Sequence, residues 1–178
     1  MNRLEIIGQG KYLQLLNDNH WEYAARKNVS AIVAIVAEIN GKALIVEQFR
    51  PAVGCNVIEW PAGLVGDIPG QENESLETAA SRELEEETGY QAERLELLAY
   101  GPASAGMSNE IIHIFRAYNL TKVSAGGGVD NEKITVHLVP LEDIDAWLQQ
   151  RQQDGILIDL KFYSGLYFLH SRQPLQLS

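Results

Sequence analysis

The spacing of apolar and polar positions divides the 178-residue chain into strand-like and helix-like stretches. Near the start the alternation is poor. Even so, residues 11–16, a turn at Asn17-Asp18-Asn19 and residues 20–26 read as a β-meander. Two apolar runs follow at 30–39 and 42–49. Between them Asn40-Gly41 signals a type I′ hairpin, whose two turn positions both need positive φ. A short strand at 57–60 stops at Pro61. Over 75–88 the period changes. Leu76, Ala80 and Leu84 recur every four residues, as on the buried stripe of a helix, and Gly89 is placed to end it. Strand patterns return at 95–100, 111–118 and 134–139, and helical ones at 141–151 and 160–171. Strands fill the middle and helices close the chain. The expected class is therefore α+β, a mixed β-sheet flanked by helices, with a small N-terminal meander. We place the boundary after residue 28, giving a β subdomain at 1–28 and a main domain at 29–178.

Composition adds little and charge adds more. Hydrophobic residues make up 46% and charged residues 21%, ordinary values for a globular chain. No apolar run reaches membrane-spanning length. The start, Met1-Asn2-Arg3-Leu4-Glu5, lacks the basic flank and apolar core of a signal peptide. One cysteine, Cys55, excludes an internal disulfide framework and a multi-cysteine zinc site. A cytoplasmic location without membrane contact is expected. The formal net charge of −10 argues against a broad nucleic-acid surface, which needs dense Lys and Arg. A small anionic substrate remains compatible, provided that Arg or a metal ion offsets its charge locally.

The informative segment runs from Glu74 to Tyr90, ESLETAASRELEEETGY. On a helix, Glu83, Glu86 and Glu87 stand at i, i+3 and i+4, so their carboxylates share one stripe. Arg82 lies beside them and can orient a carboxylate through a charge-assisted pair. Like charges at this spacing destabilise an isolated helix. A solvated acidic face is one reading. The other is a bound hard cation, Mg²⁺ or Mn²⁺, which suits carboxylate oxygens. The helix stop just after the cluster and the turn Pro61-Ala62-Gly63 before it favour the second.

Glu74, Arg82, Glu83, Leu84, Glu86, Glu87, Gly89 and Tyr90 together resemble the Nudix box. A chance match of its fixed positions is about one in a million per start point. The box calls for a glycine six residues before Glu74, where this chain has Ile68. Taking Gly63 as that glycine leaves about five extra residues in the 64–73 loop and keeps the carboxylate spacing. Glu47-Gln48-Phe49-Arg50-Pro51 and Ile58-Glu59-Trp60-Pro61-Ala62-Gly63 resemble the ADP-ribose pyrophosphatase branch of the Nudix hydrolases. The resemblance implies an α/β/α sandwich, a homodimer formed through the meander, and magnesium-dependent hydrolysis of a pyrophosphate bond, with manganese an alternative.

It also implies roles for particular residues. Glu83, Glu86 and Glu87, with the Ala62 carbonyl, match metal ligands. Arg82 orients the glutamates, and Glu86 acts with it in catalysis. The general base comes from the loop Ser124-Ala125-Gly126-Gly127-Gly128-Val129-Asp130-Asn131-Glu132, with Glu132 first and Asp130 second. Its three glycines give that loop freedom to close. Substrate contacts fall to Arg50, Glu59, Arg26 and Glu110. Trp21 and Tyr12 sit where the branch places aromatics that stack on adenine, and the resemblance implies that each site borrows Trp21 from the partner subunit. For several of these the alternative is structural: Arg50 as a surface cation, Glu59 as partner of an Arg, the aromatics as packing.

The expected substrate is ADP-ribose, cut to AMP and ribose 5-phosphate. GDP-mannose or another nucleotide sugar is the enzymatic alternative. A non-catalytic nucleotide-sugar sensor is the alternative of another class, weakened by the retained box glutamates. His113 and His137 read as packed strand residues.

Overall fold

The computed structural model describes residues 4–129 and 132–171. Three strands open the chain: β1 (Glu5–Gln9), β2 (Leu13–Asp18) and β3 (Trp21–Arg26), in the order β1-β2-β3. The sequence places a turn at 17–19, but β2 continues through Asp18, which pairs with Trp21. The turn is Asn19-His20, both at positive φ, as a two-residue type I′ loop requires.

The main body is built on β4 (Ala31–Ile39) and β5 (Lys42–Arg50), joined through Asn40 and Gly41 at φ 50° and 75°. These two strands share only the register pairs nearest the turn, then diverge. β4 runs parallel to β9 (Ile111–Lys122) and antiparallel to β7 (Ala62–Val65). β5 lies between β6 (Cys55–Glu59) and β10 (Ile134–Pro140), antiparallel to both. β8 (Tyr90–Pro102) pairs along nearly all of β9, and β11 (Leu157–Ile158) runs parallel to β6.

Helix α1 (Leu76–Thr88) covers one side, while α2 (Ile144–Gln153) and α3 (Leu160–His170) cover the other. The result is the mixed sheet flanked by helices expected from the sequence. Two apolar clusters show why β4 has no polar face. Val33, Ile35 and Ala37 pack toward α1 with Ala80, Leu84 and Phe115. Val36 packs toward α2 and α3 with Ile58, Trp60, Leu148 and Phe162. Strands covered on both faces read as continuous apolar runs. Trp60 fastens α3, stacking on Phe162 at 4.5 Å and donating Nε1–H to the Phe162 carbonyl at 3.0 Å.

The meander is clipped to the body. The Ala24 amide donates to the Met107 carbonyl at 2.8 Å, which ties β3 to the loop between β8 and β9.

Candidate active site

Helix α1 is set by its ends. Ser75 caps it, accepting from the Thr78 amide at 3.1 Å, and Gly89 ends it at φ 74°. Leu84 and Glu87 are buried, Glu87 at the side of the helix next to β7, while Glu83 and Glu86 are half-buried on the adjoining stripe. Arg82 gathers them. Its Nη1 donates to Glu83 at 2.7 Å and to Glu86 at 3.2 Å, and its Nη2 donates to Glu74 and to the Leu64 carbonyl at 3.0 and 3.1 Å. Burial opposes the Arg82 charge, but Glu74 and Glu83 outweigh it and hold the guanidinium protonated. Glu74 has a 3% exposed side chain and also accepts from the Gly66 amide at 3.0 Å, so it anchors the network.

Two carboxyls are short of positive charge. Burial pushes Glu83 up to about 7, although Arg82 pulls it back. Burial pushes Glu87 up to about 9, against the pull of the Ala62 amide, and the charges of Glu83, Glu132 and Glu59 raise it further. Gly63 explains how Glu83 fits: a Cβ on Gly63 would overlap the Glu83 carboxylate. The Ala62 amide donates to Glu87 at 3.0 Å. A strand residue's carbonyl points to the same edge as its amide, so the Ala62 carbonyl also turns toward this site.

Among the described residues no three carboxyl or imidazole groups already form a ready cage for an ion. The reason is local: Arg82 draws Glu83 and Glu86 to itself, and the Ala62 amide holds Glu87. Hard oxygen donors, buried and raised out of the usual carboxylate range, still fit a divalent cation, which would supply the missing charge.

These groups head a cleft of about 960 Å³, whose walls include Glu83, Glu87, Ala62, Gly63 and Glu132. Every basic side chain lining it is already in an ion pair. Arg50 Nε meets Glu59 at 2.7 Å, Arg26 Nε meets Glu110 at 2.5 Å, and Lys161 meets Asp159. Glu59 thus pairs with an arginine while it lines the cleft.

The family model for the NUDIX domain matches residues 27–160. The chain belongs to the Nudix family. An ADP-ribose pyrophosphatase of Bacillus subtilis (strain 168) is 30% identical over 151 residues, covering 84% of this chain and 77% of that protein. A GDP-mannose pyrophosphatase of Yersinia enterocolitica is 33% identical over 148 residues, covering 78% and 74%. A crystal structure described as an ADP compounds hydrolase superposes with a TM-score of 0.64 at 19% identity, covering 81% of this chain and 80% of that one, which is a likeness of fold.

In this Nudix hydrolase Gly63 lies on β7 against Glu83, and of the expected 64–73 loop Leu64 and Val65 are strand, so the connection to α1 begins at Gly66. Glu86 lies at the outer side of the cluster, against Arg82, rather than on the cleft wall. Trp21 and Tyr12, 62% and 65% exposed, are not among the residues lining the cleft. Trp21 stands five residues along β3 from Arg26, roughly 17 Å in an extended strand. It cannot reach its own chain's cleft. Asp130 lies outside the described residues.

The triple glycine also makes fixed contacts. The Gly127 amide donates to the Glu87 carbonyl at 2.8 Å and the Gly128 amide to the Glu86 carbonyl at 3.0 Å, so the loop is fastened to the end of α1. A Cβ on Gly126 would collide with the Thr88 and Gly89 backbone. Close approach and a φ of 70° both call for glycine there. Three charged cleft residues escaped the sequence reading: Asp67, Asp159 and Lys161. Asp159 carried a usable signal as an N-cap residue directly before an apolar helix.

Proposed function

We propose that this Nudix hydrolase cuts the pyrophosphate bond of a nucleoside diphosphate derivative, ADP-ribose before others, with Mg²⁺ as cofactor and Mn²⁺ as substitute. The observation that carries the proposal is the pair of half-buried Glu83 and buried Glu87 at the head of an open cleft, raised to about 7 and 9. Glu83, Glu87 and the Ala62 carbonyl would hold the cation, with Glu86 completing the set from the rim. When bound, such a cation neutralises a diphosphate and lowers the pKa of an attacking water.

The chain's own groups do the rest. Arg82 keeps Glu83 and Glu86 in register. Glu132 lines the cleft near Glu87, with its carboxylate near the Val129 amide at 3.3 Å, and serves as the group that accepts the water's proton. Arg50 and Arg26, held by Glu59 and Glu110, present their outer guanidinium nitrogens to the phosphates. Exposed apolar residues of the meander, among them Ile6, Tyr12, Leu13 and Trp21, support a homodimer in which Trp21 stacks on the base in the partner's cleft.

The experiment is incubation with Mg²⁺ and a panel of ADP-ribose, GDP-mannose and UDP-glucose, followed by assay of the released monophosphates. AMP and ribose 5-phosphate from ADP-ribose are expected. No release from any member, with Mg²⁺ or Mn²⁺, overturns the proposal. Preference for GDP-mannose would select the second reading, which rests on the similarity to the Yersinia protein.

A further inference from the structure

The cleft carries seven carboxylates. Three of them, Glu59, Glu110 and Asp159, are occupied by the cleft's own basic side chains. Glu83 and Glu87 belong to the helix cluster, and Glu132 stands on the opposite loop. The seventh is Asp67, in the segment by which this chain is longer than the box pattern. Its side chain is 39% exposed, and its nearest cation is Arg82 Nη2 at 3.9 Å, beyond hydrogen-bonding distance. It makes no side-chain hydrogen bond to any described residue.

The backbone around Asp67 is nonetheless fixed. The preceding Gly66 is buried at φ 80° and donates its amide to Glu74. The loop then closes on itself through Gln71 N–H to the Ile68 carbonyl at 2.9 Å and Glu74 N–H to the Gln71 carbonyl at 3.0 Å. Asp67 and Glu83 therefore approach one guanidinium, Glu83 at Nη1 and Asp67 at Nη2, and both line the cleft. Asp67 thus lines the same cleft as Glu83 and Glu87, stands on the guanidinium that gathers the helix carboxylates, and has no hydrogen-bond partner of its own among the described residues. A hard cation held at the head of that cleft would meet it from the loop side.

We propose that Asp67 is an additional carboxylate of the divalent-cation site, holding the ion's water shell on the side of the long loop. This rests on the proposed function above, and its test separates the two. Mn²⁺ is titrated into full-length protein, wild type and Asp67→Asn, by calorimetry, and the melting temperature is read in EDTA. We expect Asp67→Asn to bind Mn²⁺ about 10- to 100-fold more weakly, the usual loss when an outer partner of a metal site is removed. Its EDTA melting temperature should be unchanged or higher. A purely structural aspartate would give the opposite pair: lower melting temperature and intact affinity. Glu72→Gln, which removes only the contact to the Gly70 amide, should leave affinity unchanged. Equal Mn²⁺ affinity in wild type and Asp67→Asn overturns this inference alone. Failure of the wild type to bind Mn²⁺ overturns the metal-site reading and this inference with it.

Discussion

Replacing Gly63 with alanine separates the positioning of Glu83 from the stability of the fold. The added methyl would fall on the Glu83 carboxylate itself. Ordinary carbon contacts need ~3.5 Å, so the carboxylate has to withdraw by roughly an ångström or more. The obstacle is the end of a flexible side chain, not backbone, so the cost to folding sits at the low end for an overpacked site, ~1 kcal/mol. For a domain of this size that lowers the melting temperature by about 2–4 °C. Catalysis is less tolerant: a displacement of ~1 Å in a catalytic group costs on the order of 100-fold. Gly63→Ala should thus lose about two orders of magnitude in kcat, measured as monophosphate release with saturating Mg²⁺, while melting within a few degrees of wild type. Gly101→Ala is the control, since a Cβ there meets nothing within 4 Å. If Gly63→Ala keeps more than half of wild-type kcat, Glu83 does not depend on that missing side chain and the site has been assembled wrongly.

Other expectations follow from the same geometry. Glu83→Gln and Glu87→Gln should each cut turnover by orders of magnitude and still fold, as circular dichroism and melting would show. Because Glu83 and Glu87 are raised above their unfolded value, the native metal-free protein holds protons that the unfolded chain has released. Its stability should therefore fall as pH rises from about 5 to 9, measured by melting in EDTA, and Mg²⁺ should raise the melting temperature more at pH 8 than at pH 6. A flat or rising EDTA profile over that range would contradict the burial of these groups. Arg82→Lys keeps the charge but loses the fork that reaches Glu74, Glu83, Glu86 and the Leu64 carbonyl; several degrees of melting temperature and most of the activity should go together. Gly165→Ala would drive a methyl into the Trp60 ring and should destabilise by about 1–3 kcal/mol with little change in KM.

Where local chemistry decides structure, the residues announced it. Asn40-Gly41 sits at the positive φ pair its identity demands, and α1 begins and ends at Ser75 and Gly89 because a hydroxyl cap and a left-handed glycine leave few alternatives. The box glutamates were legible for the same reason, since helical spacing alone puts them on one side. What escaped depends on distant partners. β7 is four residues after a proline, and only its pairing with β4 makes it a strand. β8 begins at Tyr90, five residues before its apolar pattern, because β9 extends alongside polar Gln91 and Arg94. The helix expected from 141 starts as a 3-10 turn over Leu141–Asp143 after Pro140. In the site, no local pattern shows that Arg50 is held by Glu59 or Arg26 by Glu110, since those pairs span strands and loops. The glycine run was read for flexibility, whereas its neighbours leave Gly126 no room for a side chain.

The prior engagement of Arg26, Arg50 and Lys161 sets an order of events. An incoming diphosphate finds carboxylates that repel it, and arginines that can still donate hydrogen bonds but whose charge Glu59 and Glu110 already offset. Nucleotide alone should therefore give no measurable heat on titration, and affinity should appear only after the divalent ion has been added. The empty enzyme would then ignore the free phosphates that crowd a cell, and respond to a nucleotide only as its metal complex or after loading the metal first.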